Sequence, residues 1–255
     1  MARYQLTLAY DGTDFFGSQR QAKRRTVQGE LETALRKLGW SGRSILLSGR
    51  TDTGVHATGQ VAACDLEWSH TDEELVRALN AKLPNDISVW DARLVGNDFH
   101  PRFDATSRIY SYQLFYDDVR NPIRERFAWR VNVALDDVLL KKASQELIGT
   151  HDFSAFGSPT TPKGGTVRTV KKAAWHRVEK DQWRFEVEAD AFLYRMVRRM
   201  VFVQVAVGQG KLPEEVIVES LAKQAGNRKR SVLKSGLAPA HGLTLIEVKY
   251  QESMK

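Results

Sequence analysis

Tyr4-Gln5-Leu6-Thr7-Leu8-Ala9-Tyr10 places a large side chain at every second position, the period of a β-strand. Downstream, Thr26 stands as an N-cap before Val27, Leu31, Leu35 and Leu38, which recur at helical spacing with Glu30 in the first turn. Short strands are expected at 44–47 and 60–66. Thr71 and Glu74 have the spacing of a capping box for a second helix, which carries Leu75, Leu79 and Leu83 and stops at Pro84. Residues 87–95 read as another strand. The order is β-α-β-β-α-β.

The second half repeats it. Residues 108–116 alternate as a strand, and Asp136 caps a helix with Leu139, Leu140, Ala143 and Leu147 that Gly149 ends. Residues 167–179 and 182–189 form a hairpin across Glu179-Lys180-Asp181. Residues 192–207 are apolar nearly all round and predict a buried helix, Pro213 opens an extra one, and 243–250 close as a strand. The expected fold is α/β (α+β): two ferredoxin-like or RRM-like β-α-β-β-α-β modules, 1–104 and 105–255. Their sheets are expected to be mixed, largely antiparallel and joined around a central basic cleft. Trp68, Trp90, Trp129 and Trp183 read as packing.

Composition narrows the function classes. The chain has 255 residues, 38 Lys and Arg against 31 Asp and Glu, a net charge of +7 and one cysteine, Cys64. One cysteine excludes an internal disulfide and a cysteine-rich zinc site. The six histidines are scattered, none at i, i+4 from another. No membrane span is expected, because the best apolar run, 200–207, is short and broken by Gln204. A soluble, cytoplasmic protein with an anionic partner is expected, nucleic acid above all. Basic clusters stand at Arg20, Lys23, Arg24 and Arg25, at Arg168, Lys171 and Lys172, at Arg195, Arg198 and Arg199, and at Arg228, Lys229 and Arg230. Each alone is a solvated turn; together they suggest a surface that follows phosphates.

The stretch that could carry chemistry is Ser48-Gly49-Arg50-Thr51-Asp52-Thr53-Gly54-Val55-His56-Ala57-Thr58-Gly59-Gln60. Gly54 and Gly59 have P-loop spacing, but Gln60 and Val61 follow where Lys and Ser/Thr are needed. Two alternatives remain: a structural Asx-turn at Asp52, or an active-site loop in which Asp52 is nucleophile or general base. The thirteen-residue length of this connection favours the second. Between Phe99 and Tyr112, aromatics interleave with arginines, a pattern suited to base stacking and phosphate contact, although Tyr112 and Tyr116 can equally line one strand face. An arginine such as Arg198 on so apolar a helix calls for a carboxylate partner, whereas Arg195 and Arg199 can snorkel.

In this order the segments resemble the tRNA pseudouridine synthase A family over nearly the whole chain. The resemblance rests on Tyr10-Asp11-Gly12-Thr13, Gln19, Gln21, Thr26-Val27-Gln28, the Asp52 loop, the 99–112 stretch, His151-Asp152-Phe153, Phe192-Leu193, Met196-Val197-Arg198 and Ala238-Pro239-Ala240-His241-Gly242-Leu243. Ser18 departs from it, standing where the family pattern shows Trp.

The resemblance implies a homodimeric, cofactor-free isomerase that converts uridine to pseudouridine at positions 38, 39 and 40 of the tRNA anticodon stem-loop. It implies Asp52 as the catalytic carboxylate, Arg198 as its ion-pair partner and Tyr110 as the ring stacked on the target uracil. Arg50 would occupy the space of the flipped nucleotide, and Leu243 would wall the pocket. Thr51, Thr53, His56, Arg108, Gln19, Lys23 and Arg24 are further candidates for substrate contact, although His56, like His100 and His241, reads first as a structural histidine. No redox group or metal is needed, because the product is an isomer of the substrate. A non-catalytic tRNA-binding protein of the same fold is the alternative.

Overall fold

The structure, a computed structural model, describes residues 1–161, 164–222, 233 and 235–251. The basic cluster at Arg228, Lys229 and Arg230 lies outside them. Two compact units are present: Met1–Thr106 together with the segment from Thr244, and Ser107–Leu243.

In the first unit, β1 (Ala2–Tyr10), α1 (Val27–Arg36), β2 (Leu46–Leu47), β3 (His56–Leu66), α2 (Asp72–Asn80) and β4 (Ile87–Val95) follow one another. The strands are ordered β4-β1-β3-β2 and every pairing is antiparallel. Both helices begin as their caps dictate. Thr26 accepts from Gly29 N, and the Thr71/Glu74 box is closed in both directions. Leu31 and Leu35 of α1, Leu75 and Leu79 of α2, and Leu6 and Leu8 of β1 are fully buried, each stabilising the unit by about 1.5–3 kcal/mol of transfer free energy. The β1–β3 register slips between Leu8↔Gln60 and Tyr10↔Ala57, a bulge beside the Asp52 loop. The terminal strand β10 (Leu243–Tyr250) pairs in parallel with the start of β3, Thr244 against His56 and Leu245 against Ala57.

The second unit contains β5 (Ala105–Tyr116), β6 (Trp129–Val131), α3 (Asp137–Gln145), β7 (Gly149–Asp152), β8 (Val167–Glu179), β9 (Gln182–Ala189), α4 (Met196–Gly208) and α5 (Val216–Ala222). β5, β9, β8 and β7 pair antiparallel in that order, and β6 lies parallel on β5. The chain is thus a mixed α/β protein with mixed, largely antiparallel sheets.

Several boundaries differ from expectation. The β3 strand starts at His56, not Gln60, so the connection at the candidate loop is only 48–55, and its length no longer argues for function. The apolar helix starts at Met196, not Phe192. Tyr194 is drawn into a bridge with Ser158, and Arg195 turns the chain at φ +64°, so helix cannot form before it. Gly149 begins β7 and does not merely stop a helix, and α5 begins at Val216, beyond the turn at Pro213. Trp90 on β4 is 60% exposed and is not a packing residue.

Candidate active site

In the first unit, Val55 N donates to Asp52 O at 3.1 Å and closes a turn. Its third residue, Gly54, has φ +78° while Thr53 has no positive φ, which makes this a type II turn. Asp52, the first residue of the turn, is half-buried; Arg50 and Thr53 are exposed, and Thr51 is buried.

A buried hydrogen-bond network fixes the shoulder before Asp52. The Thr51 and Tyr10 hydroxyls are 2.9 Å apart. Gln60 Nε2 donates to Tyr10 Oη at 3.4 Å and to Gly49 O at 3.1 Å, and Ser48 Oγ donates to Gln60 Oε1 at 2.6 Å. Burial pushes the Tyr10 phenol up to about 12, against the opposing hydrogen bonds of Thr51 and Gln60, so the network stays neutral at physiological pH. On the other shoulder, Gly12 lies so close to Val55 that a Cβ on it would meet Val55 O at 2.0 Å. Gly12 N donates to His56 Nδ1 at 2.9 Å, and Asp11 Oδ1 is 3.1 Å from the same nitrogen. The Gly12 amide, the Asp11 carboxylate and the His56 ring thus meet at the loop entrance. His56, offered as a substrate contact, is buried and braces the loop entrance.

In the second unit, Tyr110 on β5 is half-buried and meets Phe192 edge-on, ring centroids 5.1 Å apart at 88°. Tyr112, two residues on, is fully buried and donates to Pro239 O at 2.9 Å. Burial holds its phenol well above the usual value, opposed by the positive charge of Arg198. Arg198, in the first turn of α4, donates from Nε to Ala238 O at 2.9 Å and accepts Ala238 N on its own carbonyl at 3.2 Å. Arg199 does not simply snorkel: it donates to Gly236 O at 2.6 Å and Leu233 O at 3.3 Å, and burial lowers its pKa. Arg195 is exposed over the Tyr194 ring, and Leu243 is buried. Arg108 donates to Asp190 O at 2.8 Å.

The basic clusters are less open than their letters suggest. Arg20 pairs with the buried carboxylate of Glu32 at 2.5 Å, and Arg25 makes a bidentate pair with Asp86 and a second pair with Glu30. Lys172 pairs with Glu186, and Arg168 donates to the carbonyls of Gly165 and Val167. Gln19, Lys23 and Arg24 are exposed, the last lying 4.4 Å over the Phe16 ring. In the 99–112 stretch, Phe99 packs on Tyr250, and Phe103 is exposed against His100. Burial raises the Cys64 thiol to about 12, which leaves it protonated and unsuited to nucleophilic work. Among the described residues no group of three or more His, Cys, Asp and Glu side chains could hold a metal ion. Nor is any described helix long and apolar enough to cross a membrane.

The first unit thus gathers Arg50, Thr51, Asp52, Thr53 and His56 around one turn, and the second gathers Tyr110, Arg198 and Leu243 with Tyr112 and the 236–242 segment. Sequence reasoning quoted Tyr10 and Gln60 within their stretches but did not foresee the buried network that joins them to Thr51 and Ser48.

The model of the tRNA pseudouridine synthase family matches residues 7–104 and 143–251, and the chain belongs to that family of isomerases. It is 42% identical over 248 residues to tRNA pseudouridine synthase A of Methylacidiphilum infernorum, covering 97% of this chain and 95% of that one. It is 39% identical over 255 residues to the protein of that name from Shouchella clausii, covering 100% and 95%. With that of Limosilactobacillus fermentum it shares 38% over 254 residues, covering 98% and 96%.

Proposed function

We propose that the chain isomerises uridine to pseudouridine at positions 38, 39 and 40 of the tRNA anticodon stem-loop, working as a cytoplasmic homodimer. The observation that carries this reading is the presentation of Asp52: a half-buried acid opening a hydrogen-bonded turn in a chain of positive net charge. A surface that only binds RNA gains nothing from a carboxylate that repels phosphate. An enzyme that breaks the C1′–N1 bond needs one, because positive charge develops on the ribose.

The target base leaves its stack at a cost of a few kcal/mol and is held by the Tyr110 ring, whose edge-on contact with Phe192 fixes its plane. Asp52 acts on the ribose, either at C1′ or by removing the 2′ proton. The freed uracil turns and C5 bonds to C1′, displacing the Asp52 carboxylate in the first route or with the proton given back to C2′ in the second; the C5 proton leaves to solvent, and N1 takes up a proton. We propose Arg198 as the basic partner of Asp52 in the reaction. Arg50, Lys23 and Arg24, all exposed, meet the RNA backbone.

The test is to incubate the protein with unmodified tRNA and map pseudouridine by carbodiimide-dependent reverse-transcription stops. Stops at 38, 39 and 40, lost when those uridines are replaced by cytidine, are the expected result. Binding without any new stop would favour the non-catalytic alternative.

A further inference from the structure

Ser18 is fully buried and touches the peptide backbone just before the proposed catalytic acid. Its Oγ accepts from Thr51 N at 2.9 Å, and its own N donates to Thr51 O at 3.1 Å. The carbonyl it holds belongs to the peptide that enters Asp52. Two bonds to one residue fix both peptide planes around Thr51, and with them the Cα of Asp52. The grip is anchored in turn on α1: Gln28 N donates to Ser18 O at 2.9 Å, and Val27 N to Gly17 O at 3.4 Å. Gly17, at φ +85°, allows the close approach, since a Cβ there would meet Thr51 O at 2.8 Å.

We propose that Ser18 is a positioning residue for catalysis, a buried strut that carries the rigidity of the α1 N-terminus to the Asp52 carboxylate. This rests on the reading of Asp52 as the catalytic acid. A buried hydroxyl at this place has no route to the tRNA, so its effect is on turnover and not on substrate affinity. Replacing it with alanine leaves Thr51 N–H without its acceptor and lets Asp52 drift from the ribose. Misplacement of a reacting group on the order of 1 Å costs about a hundredfold.

The experiment compares wild type, Asp52→Asn, Ser18→Ala and Ser18→Cys for tritium release from C5-labelled uridine in tRNA, with kcat and KM determined separately. Expected for Ser18→Ala is a kcat lower by about tenfold to a hundredfold with KM within about twofold. Ser18→Cys keeps the size and a weak acceptor, and recovers part of the loss. A Ser18→Ala kcat within twofold of wild type, or a loss that falls on KM, overturns the proposal. If Ser18→Ala does not fold, Ser18→Cys is judged instead: a lower kcat at unchanged KM supports the strut, and wild-type kcat overturns it. Failure of the functional reading looks different, since then wild type releases no tritium or Asp52→Asn releases as much as wild type.

Discussion

The loop around Asp52 and the 236–242 segment on α4 are both irregular backbone, yet they are held in different ways. Around Asp52 the partners are neutral and buried: Tyr10, Ser18, Ser48, Gln60 and the amide of Gly12. At the 236–242 segment the buried Tyr112 hydroxyl holds Pro239 O, but most of the bonds come from two guanidinium groups, with Arg198 holding Ala238 O and Arg199 holding Gly236 O and Leu233 O. A buried network whose members satisfy one another specifies one geometry. Long cationic side chains make stronger single bonds, but each bond has several rotatable joints behind it. The chain therefore presents its acid from the stiffer kind of scaffold.

The sharpest way to break this comparison is Gly12→Ala. A Cβ 2.0 Å from Val55 O must push the backbone of the loop aside, because no flexible side chain is there to yield. The expected loss of stability is about 3 kcal/mol or more, seen as a lower midpoint in urea unfolding. A midpoint equal to wild type would mean that the loop is not rigid.

On the cationic side, Arg198→Ala is expected to lower turnover by roughly thirtyfold, about 2 kcal/mol for a charge-assisted contact, with tRNA affinity changed far less. Arg198→Lys, which keeps the charge but loses the planar fork, should fall between the two. Equal turnover in Arg198→Ala and wild type, with only the melting temperature lowered, would make this arginine a brace for Ala238 and nothing more.

The smallest effect concerns acid. The bidentate Arg25 guanidinium holds the Asp86 carboxyl below its usual range, with burial opposing it. A depressed folded pKa means that this stabilisation is present above the unfolded value near 4 and is lost as pH falls through the lower folded value. Asp86→Asn should thus be less stable than wild type at pH 7 by about 1 kcal/mol, discounted for partial exposure, and the gap should close as pH falls through the depressed folded value. A gap independent of pH would show that the pair contributes through packing alone.

Local chemistry makes much of this legible in the sequence. Thr26, the Thr71/Glu74 box and Asp136 mark three helix starts, and the hairpin of β8 and β9 has its boundaries in period-two alternation. Asp52 stood out as a lone acid among glycine and threonine. What stayed hidden depends on partners far apart in the chain. Ser158 holds Tyr194 out of α4, and Thr244 and Leu245 draw His56 and Ala57 into β3. Ser18 and Thr51 are 33 residues apart, and nothing in either neighbourhood announces the bond between them. Within one basic cluster, Arg20 and Arg25 are taken up by carboxylates at Glu32, Glu30 and Asp86, whereas Lys23 and Arg24 stay exposed.

The most direct measurement of the central claim is tritium release from C5-labelled uridine in tRNA by Asp52→Asn, with tRNA affinity determined on the same preparation. The asparagine keeps the shape of the turn and removes the negative charge. Release reduced by at least about a thousandfold with affinity within a few-fold is the predicted result. Release at the wild-type rate would contradict the account, and the carboxylate would have to be sought elsewhere.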